Sequence, residues 1–181
     1  LSETVATVEN KNADTYANFA AAAAENPGKA GEWNTKALDV KAKSEELVKY
    51  LESLKLEIIN LSGGFSEDEP TVPKSLDARE GPANYLLNEG NATILKEKID
   101  AYKASVLQYT KDPKTIAIIE DKFDTGKQKV GKDQVETSWE SANFEHYPLA
   151  AILPFITNIE ADVRVTESDV IKELEKNIDA G

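Results

Sequence analysis

The sequence predicts an all-α fold: an up-and-down bundle of about four long helices, with an elaborated connection between helices two and three. Apolar residues recur at helical spacing over long stretches, which is the pattern of helices with one buried face. The composition, with 40% apolar and 30% charged residues, is that of a folded chain rich in helix formers. At 181 residues the chain is long enough for a substantial core, so we expect a single helical domain over residues 1–181.

Two long helices are predicted at the start of the chain. Asn26, Pro27 and Gly28 break the helical pattern, so that helix one ends near Glu25 and helix two extends to about Leu61. Each helix has one stripe of mostly apolar residues. The first stripe is Leu1, Val5, Val8, Asn12, Thr15, Phe19 and Ala22, and the second is Trp33, Ala37, Val40, Ser44, Leu47, Leu51, Leu54, Ile58 and Leu61.

Residues 62–90 form the predicted elaborated connection, because several prolines and glycines stand there among acidic residues. A third helix follows, with Asn91 or Thr93 as its N-cap and an end near Thr110. Its apolar face is expected to consist of Leu95, Ile99, Tyr102, Val106 and Tyr109.

A short fourth helix is predicted from Asp112 to about Lys122, because Asp followed by Pro113 suits an N-cap and first turn. Its apolar side is formed by Ile116, Ile119 and Phe123.

Gly126 and Gly131 bracket a lysine-rich loop or small hairpin, and Thr137 with Glu140 matches a capping box that starts a short helical turn. A final helix is predicted over 148–180, with a kink near Pro154. Its stripe is Leu149, Ile152, Ile156, Ile159, Val163, Val170, Leu174 and Ile178.

The charge of the chain excludes several classes of partner. A formal net charge of -12 repels polyanions, so nucleic acid and anionic lipid are poor partners. No segment has the roughly 20 consecutive apolar residues that span a bilayer. The helical pattern is already in register at Leu1, and the chain has no Met, so we expect it to be a fragment of a longer protein.

The sequence does not predict an enzyme. We assign no catalytic, cofactor-binding or metal-ligating residue. Gly126 and Gly131 match part of a phosphate-binding loop, but Asp133 replaces the required hydroxyl. Asp121, Asp124 and Asp133 lack the order of a calcium loop, which leaves only adventitious calcium open. His146 is the single histidine, and nothing frames it as a base.

Four aromatic residues leave one alternative function open. Trp33, Trp139, Phe144 and Tyr147 could either fill the core or form the floor of a pocket. A pocket would make the domain an extracytoplasmic ligand-sensing four-helix bundle.

The segment from Trp139 to Leu174 resembles the end of the first periplasmic domain of the GldM/PorM family. The residues that carry the resemblance are Trp139, Asn143, Phe144, Glu145, Pro148, Leu149, Ala151, Ile159, Asp162, Thr166, Glu167, Ser168 and Val170. The order of the two upstream helices is also similar to the opening of that family, so the resemblance covers essentially the whole chain.

The resemblance implies a non-enzymatic part of the type IX secretion and gliding motor, located in the periplasm and anchored to the inner membrane in the full-length protein. Family members are homodimers whose transmembrane helices sit inside a GldL/PorL pentamer. They pass motion to the GldK–GldN ring through further β-rich domains, and the resemblance implies that this chain is the helical domain alone. The implied role of this domain is mechanical.

The polar members of the first stripe motivate a hypothesis about the dimer. A polar residue in a helical seam commonly fixes the register between two chains. We therefore expect Val5, Val8, Asn12 and Thr15 to line the dimer axis, with Asn12 setting the register.

Overall fold

The computed structural model describes residues 5–61, 91–123, 128–130, 135–137 and 149–179. The elements are α1 (Val5–Glu25), α2 (Ala30–Leu61), α3 (Asn91–Leu107), α4 (Pro113–Lys122), β1 (Gln128–Val130), β2 (Val135–Thr137) and α5 (Leu149–Asp179). The prediction of an all-α bundle with about four long helices is confirmed, and α4 is the predicted short helix. None of the helices in the described ranges is both long and apolar enough to cross a bilayer.

The two strands form a small hairpin, which is one of the two alternatives predicted near Gly126 and Gly131, but β2 lies beyond the predicted boundary at Gly131. They pair antiparallel, with Gln128 opposite Thr137 and Val130 opposite Val135. Thr137 is the last residue of β2, and the helical turn predicted after it lies outside the described residues. The predicted connection over 62–90 lies outside them as well.

Local hydrogen bonds explain where α3 ends and α4 begins. α3 ends at Leu107, three residues before the predicted end, because Tyr109 N–H donates to the carbonyl of Val106 in a tighter turn. Asp112 has extended backbone and accepts from Lys114 N–H, which makes it the N-cap of α4 as predicted.

The chain divides into two compact units, and α2, α3 and α5 contribute residues to both. The first unit contains Leu1–Val48, Ala101–Phe123 and Glu160–Gly181, and the second contains Lys49–Asp100 and Asp124–Ile159. The single domain over 1–181 stays a prediction.

Contacts within the first unit fix the directions of its helices. Ser44 and Tyr102 share a hydrogen bond, and Asp39, earlier in α2, bonds Tyr109, later in the chain, so α2 and α3 are antiparallel. By the same reasoning α1 and α5 are parallel, as the bonds between them described below show.

The core of the first unit consists largely of the predicted stripes. Phe19, Val40 and Val170 are fully buried, and Ser44, the one polar member of the second stripe, is buried with them. Three further residues that flank the stripes are also buried and were not predicted: Tyr16, Val48 and Ile171. In the second unit the buried side chains include Leu51, Leu54, Leu95, Ile99, Ile156 and Ile159.

Ser44 and Tyr102 form a buried polar pair whose loss we expect to be costly. The two hydroxyls are 2.8 Å apart, and Tyr102 Oη also lies 3.3 Å from the carbonyl oxygen of Val163, to which it donates. Tyr102→Phe leaves the Ser44 hydroxyl and this carbonyl without their partner. We expect the free energy of unfolding to fall by about 1–2 kcal/mol, measured by urea denaturation.

The double variant Ser44→Ala/Tyr102→Phe is the matched control, because it removes both hydroxyls of the pair. We expect it to lose less stability than the sum of the single variants. Additive losses would show that the two hydroxyls do not interact.

Candidate functional site

The side chain of Arg164 on α5 is the centre of a charged network between α1 and α5. Its Nε donates to Glu9 Oε1 at 3.0 Å, and its Nη1 donates to Glu167 Oε1 at 2.9 Å. Tyr16 donates from its hydroxyl to the other oxygen of Glu167 at 2.6 Å. Asn12 donates from Nδ2 to the carbonyl oxygen of Arg164 at 3.2 Å. We call these five residues the α1–α5 clamp.

Helical spacing explains how the clamp assembles. Glu9, Asn12 and Tyr16 are three and four residues apart, which places them on one face of α1. Arg164 and Glu167 are three apart on α5 and pair directly. Two ordinary helical faces therefore supply all the groups of the network.

The clamp extends along both helices. Asn18, two residues after Tyr16, donates to Glu175 on α5 at 3.3 Å. Contacts between the two helices therefore progress from Glu9 with Arg164 to Asn18 with Glu175, which establishes that α1 and α5 run in the same direction.

Burial makes the clamp electrostatically strong. The side chain of Glu167 is 2% exposed and that of Arg164 is 12% exposed, whereas Glu9 is 42% exposed. Burial raises the pKa of Glu167 above its usual range, although the hydrogen bonds from Tyr16 and Arg164 oppose this shift. Burial and the neighbouring Glu167 raise the pKa of the Tyr16 hydroxyl, so it remains a proton donor at neutral pH.

A cavity of about 340 Å³ lies beside the clamp and is also lined by Ala13, Lys41 and Glu45. The ammonium of Lys41 lies 5.6 Å from the centre of the Tyr16 ring. Lys41 and Glu45 belong to α2, so α2 forms one wall of the cavity and the clamp forms the other. Its walls carry charges of both signs, and the bonds of the clamp satisfy the most buried of them.

The structure contradicts part of the predicted dimer seam. Val8, Asn12 and Thr15 are 5%, 3% and 7% exposed within a single protomer. The prediction is wrong for these three residues, because side chains buried in the protomer cannot line a surface between two protomers. Asn12 still pairs two helices, but they are α1 and α5 of the same chain. The side chain of Val5 lies outside the described residues.

A second tether fixes the segment between α3 and α4 to α5. Thr110 donates from its hydroxyl to Glu173 Oε1 at 2.7 Å, and Lys111 N–H donates to Glu173 Oε2 at 3.0 Å. Nearby, the Tyr109 hydroxyl donates to Asp39 in a short hydrogen bond, which raises the pKa of Tyr109 to about 12. α5 is thus held by directed bonds to both α1 and the segment that follows α3.

The residues that carry the family resemblance are only partly described. Leu149 begins α5, Asp162 is half-buried, and Glu167 belongs to the clamp. Trp139, Asn143, Phe144 and Pro148 lie outside the described residues.

Asp162 is a partly buried carboxylate, and we expect its effect on the free energy of unfolding to depend on pH. Burial raises its pKa to about 6, and Lys122 only partly opposes the shift. Because the pKa of Asp162 is higher in the folded chain, this residue costs no stability below about pH 4. The free energy of unfolding then falls as pH rises through about 6.

We expect Asp162→Asn to raise the free energy of unfolding at pH 7 by about 1–2 kcal/mol, after allowing for partial exposure. Near pH 4 the gain should disappear. Urea denaturation at both pH values measures the difference. A gain that is equal at the two pH values would contradict the assigned cause.

The centre of this site was not predicted from the sequence. Arg164 is one of only two arginines in the chain, and it lies beside the predicted stripe residue Val163. An arginine three residues before a glutamate, beside the apolar stripe of this helix, was a signal of a buried ion pair. Tyr16, next to the stripe residue Thr15, carried no comparable signal.

The remaining predictions about chemistry concern other parts of the chain. Among residues 5–61, 91–123, 128–130, 135–137 and 149–179, no group of three acidic or histidine side chains could hold a metal ion. Trp33 is partly exposed, and the ammonium of Lys36 lies 4.3 Å from its ring centre. Trp139, Phe144, Tyr147 and His146 lie outside the described residues.

The fold and the site define a helical-bundle domain in which buried ion pairs and hydrogen bonds tie two parallel helices together. Comparison with known protein families matches residues 1–177 to the GldM N-terminal domain. The chain belongs to this family, whose members are components of gliding motility and type IX secretion. A search of curated proteins finds no match to the chain.

Proposed function

We propose that the domain is a non-enzymatic mechanical link of the gliding and type IX secretion motor. In this role it lies in the periplasm, anchored to the inner membrane by a helix that precedes α1 in the full-length protein. α1 receives displacement or torque from that helix, and α5 passes it to the domains that follow. Family membership and the α1–α5 clamp are the observations that support the proposal.

The physical properties of the clamp suit this role. Apolar helix faces tolerate small sliding movements, whereas buried hydrogen-bonded charges hold a defined geometry. Sliding α1 by one residue, about 1.5 Å along its axis, would lengthen the bonds of Arg164, Glu167 and Asn12 together. Movement of α1 is therefore expected to carry α5 with it.

The length of α5 also favours a link. Its 31 residues extend about 46 Å. The directed bonds of α5 to α1 and α3 support its second half, between Val163 and Glu175. A helix supported in this way transmits an axial or rotational movement with little bending.

The family resemblance supplies the proposed partners. We propose a homodimer that engages the GldL/PorL inner-membrane partner, and contact with the GldK–GldN ring through domains that follow this one. With Val8, Asn12 and Thr15 buried in the protomer, the dimer contact must use other residues. Light scattering over a wide concentration range tests for self-association by mass action. A monomer throughout would mean that this domain does not drive dimerisation.

Complementation tests the mechanical role. A strain that lacks the full-length protein receives it with Arg164→Met, which keeps a side chain of similar length but breaks the clamp. We expect the protein to accumulate while gliding and secretion fall strongly. Phe123→Ala is the matched control, because it lowers stability by a similar amount without removing a hydrogen bond of α5, and it should retain activity. Full activity of the Arg164→Met protein would overturn the proposal.

Within the described part of the chain, the cavity beside the clamp is the observation that favours the sensing alternative. A ligand bound only to the folded chain would raise its melting temperature in a saturable way. The mechanical proposal expects no such stabilisation by small molecules that fit about 340 Å³. Saturable stabilisation that Lys41→Met abolishes would favour sensing.

A further inference from the structure

A groove between α4 and α5 gathers positive charge on a strongly acidic chain. It has a volume of about 500 Å³, and four lysines, Lys111, Lys114, Lys172 and Lys176, line it. All four residues are exposed. The chain as a whole has 33 acidic and 21 basic residues, so a local excess of lysine is unusual for it. We call this feature the lysine groove.

The carboxylates of the groove are largely engaged elsewhere. Glu173 accepts from the Thr110 hydroxyl and from Lys111 N–H, and Asp112 accepts from Lys114 N–H and from the Thr115 hydroxyl. Asp169 is the third carboxylate. Four ammonium groups thus face three carboxylates, of which two already bind backbone or hydroxyl donors.

The four lysines form no ion pair within the described part of the chain. Lys114 lowers the pKa of Asp112 only as a minor contributor, after the hydrogen bond from Thr115. Their ammonium groups are therefore available to carboxylates that approach from outside.

An exposed apolar side chain lies in the same groove. Ile118 is 47% exposed, and the other exposed large apolar residues of the described ranges, Leu38, Leu56 and Ile94, do not line it. A buried apolar contact surrounded by charged groups is the usual composition of a protein docking site.

We propose that the lysine groove is a docking site for an acidic segment of a partner protein, one that carries several carboxylates around a single apolar side chain. The carboxylates pair with the lysines, and the apolar side chain covers Ile118. This inference does not depend on the mechanical role.

The form of the groove and the net charge of the chain favour a protein segment over a membrane surface. A narrow acidic segment can enter a groove and contact only its lysines. An anionic bilayer presents an extended plane, which the rest of a chain with net charge -12 would repel.

Direct binding tests the proposal. The probe is a synthetic glutamate-rich peptide with one central leucine, titrated against the 181-residue chain at low ionic strength. We expect saturable binding that weakens about tenfold or more between low and physiological salt. A peptide with glutamine in place of glutamate should not bind. Absence of saturable binding of the acidic peptide would overturn the proposal.

Matched variants locate the site. Lys114→Glu/Lys172→Glu should weaken peptide binding by about tenfold or more, because it replaces attraction with repulsion at two points. Lys29→Glu/Lys43→Glu makes the same change in charge at two exposed lysines outside the groove and should change binding less than threefold. Equal losses in the two variants would overturn the groove as the site.

Two further experiments test whether the groove binds a protein segment with an apolar side chain or a membrane. Ile118→Ser, which changes no charge, should weaken binding of the leucine peptide but not of a peptide with glycine at that place. Vesicles of phosphatidylcholine with a minor fraction of phosphatidylserine should not bind the chain. Vesicle binding that Lys114→Glu/Lys172→Glu abolishes would overturn the protein segment in favour of a membrane. Circular dichroism checks that each variant keeps its helices.

Discussion

Arg164→Met is expected to lower the free energy of unfolding by about 3 kcal/mol at neutral pH. Methionine can keep the contacts of the arginine stem, so the loss comes mainly from the charge. Glu167, whose side chain is 2% exposed, would keep only the hydrogen bond from Tyr16. Glu9 is 42% exposed and can return to water at little cost.

The loss should depend on pH in a defined direction. Burial already raises the pKa of Glu167, and Arg164 is one of the groups that oppose the rise, so its removal raises this pKa further. A carboxyl group whose pKa is raised by folding costs no stability below its pKa in the unfolded chain, near pH 4. The free energy of unfolding falls as pH rises from that value through the pKa in the folded chain. The deficit of the variant should therefore grow from pH 4 to pH 7.

Urea denaturation of the parent chain and the variant at pH 4 and pH 7 measures this change. Arg164→Met/Glu167→Gln removes both charges and should lose less stability at pH 7 than Arg164→Met alone. Asp100→Asn, which breaks the exposed pair with Lys96, should cost less than about 0.5 kcal/mol. A loss from Arg164→Met that is the same at both pH values would contradict the role of Glu167.

Phe123→Ala is expected to lower the free energy of unfolding by about 3–4 kcal/mol. Phe123 follows α4 and is 1% exposed, and its ring meets that of Tyr102 edge to face with centroids 5.4 Å apart. Alanine removes the burial of the ring, leaves a cavity, and deletes an aromatic contact worth about 1 kcal/mol. This side chain anchors the end of α4 to α3.

Thermal and urea denaturation check the prediction. Phe123→Leu keeps most of the apolar volume and should cost about 1 kcal/mol. Ile118→Ala changes an exposed side chain of α4 and should cost less than about 0.5 kcal/mol. A loss from Phe123→Ala no greater than that from Ile118→Ala would contradict the buried position of Phe123.

Periodicity alone predicted most of the fold. The alternating three and four residue spacing identified the buried faces of α2, α3 and α5, because a helix with one buried face must repeat apolar residues at that spacing. Asp112 and Pro113 predicted the start of α4 for a local reason, since the cap and first turn need only neighbouring residues. The direction of α5 relative to α1 depends on tertiary contacts, and spacing along the chain does not contain it.

The site was harder to predict than the fold. Asn12 and Thr15 were recognised as polar members of a buried face, but their partner was assigned to a second chain. An amphipathic stripe predicts that one face of a helix is buried, but it does not identify the element that covers this face. Only the structure places Arg164 opposite Glu9 and Tyr16 opposite Glu167, so only the structure reveals that the face belongs to the protomer.

The claim that α1 and α5 move as one body is tested most directly by measuring the distance between them. The chain has no cysteine, so Asp14→Cys on α1 and Lys172→Cys on α5 can carry spin labels at two exposed positions. Pulsed electron paramagnetic resonance should give one narrow distance distribution for the otherwise unchanged chain. With Arg164→Met added, the distribution should broaden or shift. The same narrow distribution in both proteins would contradict the clamp as the element that couples the two helices.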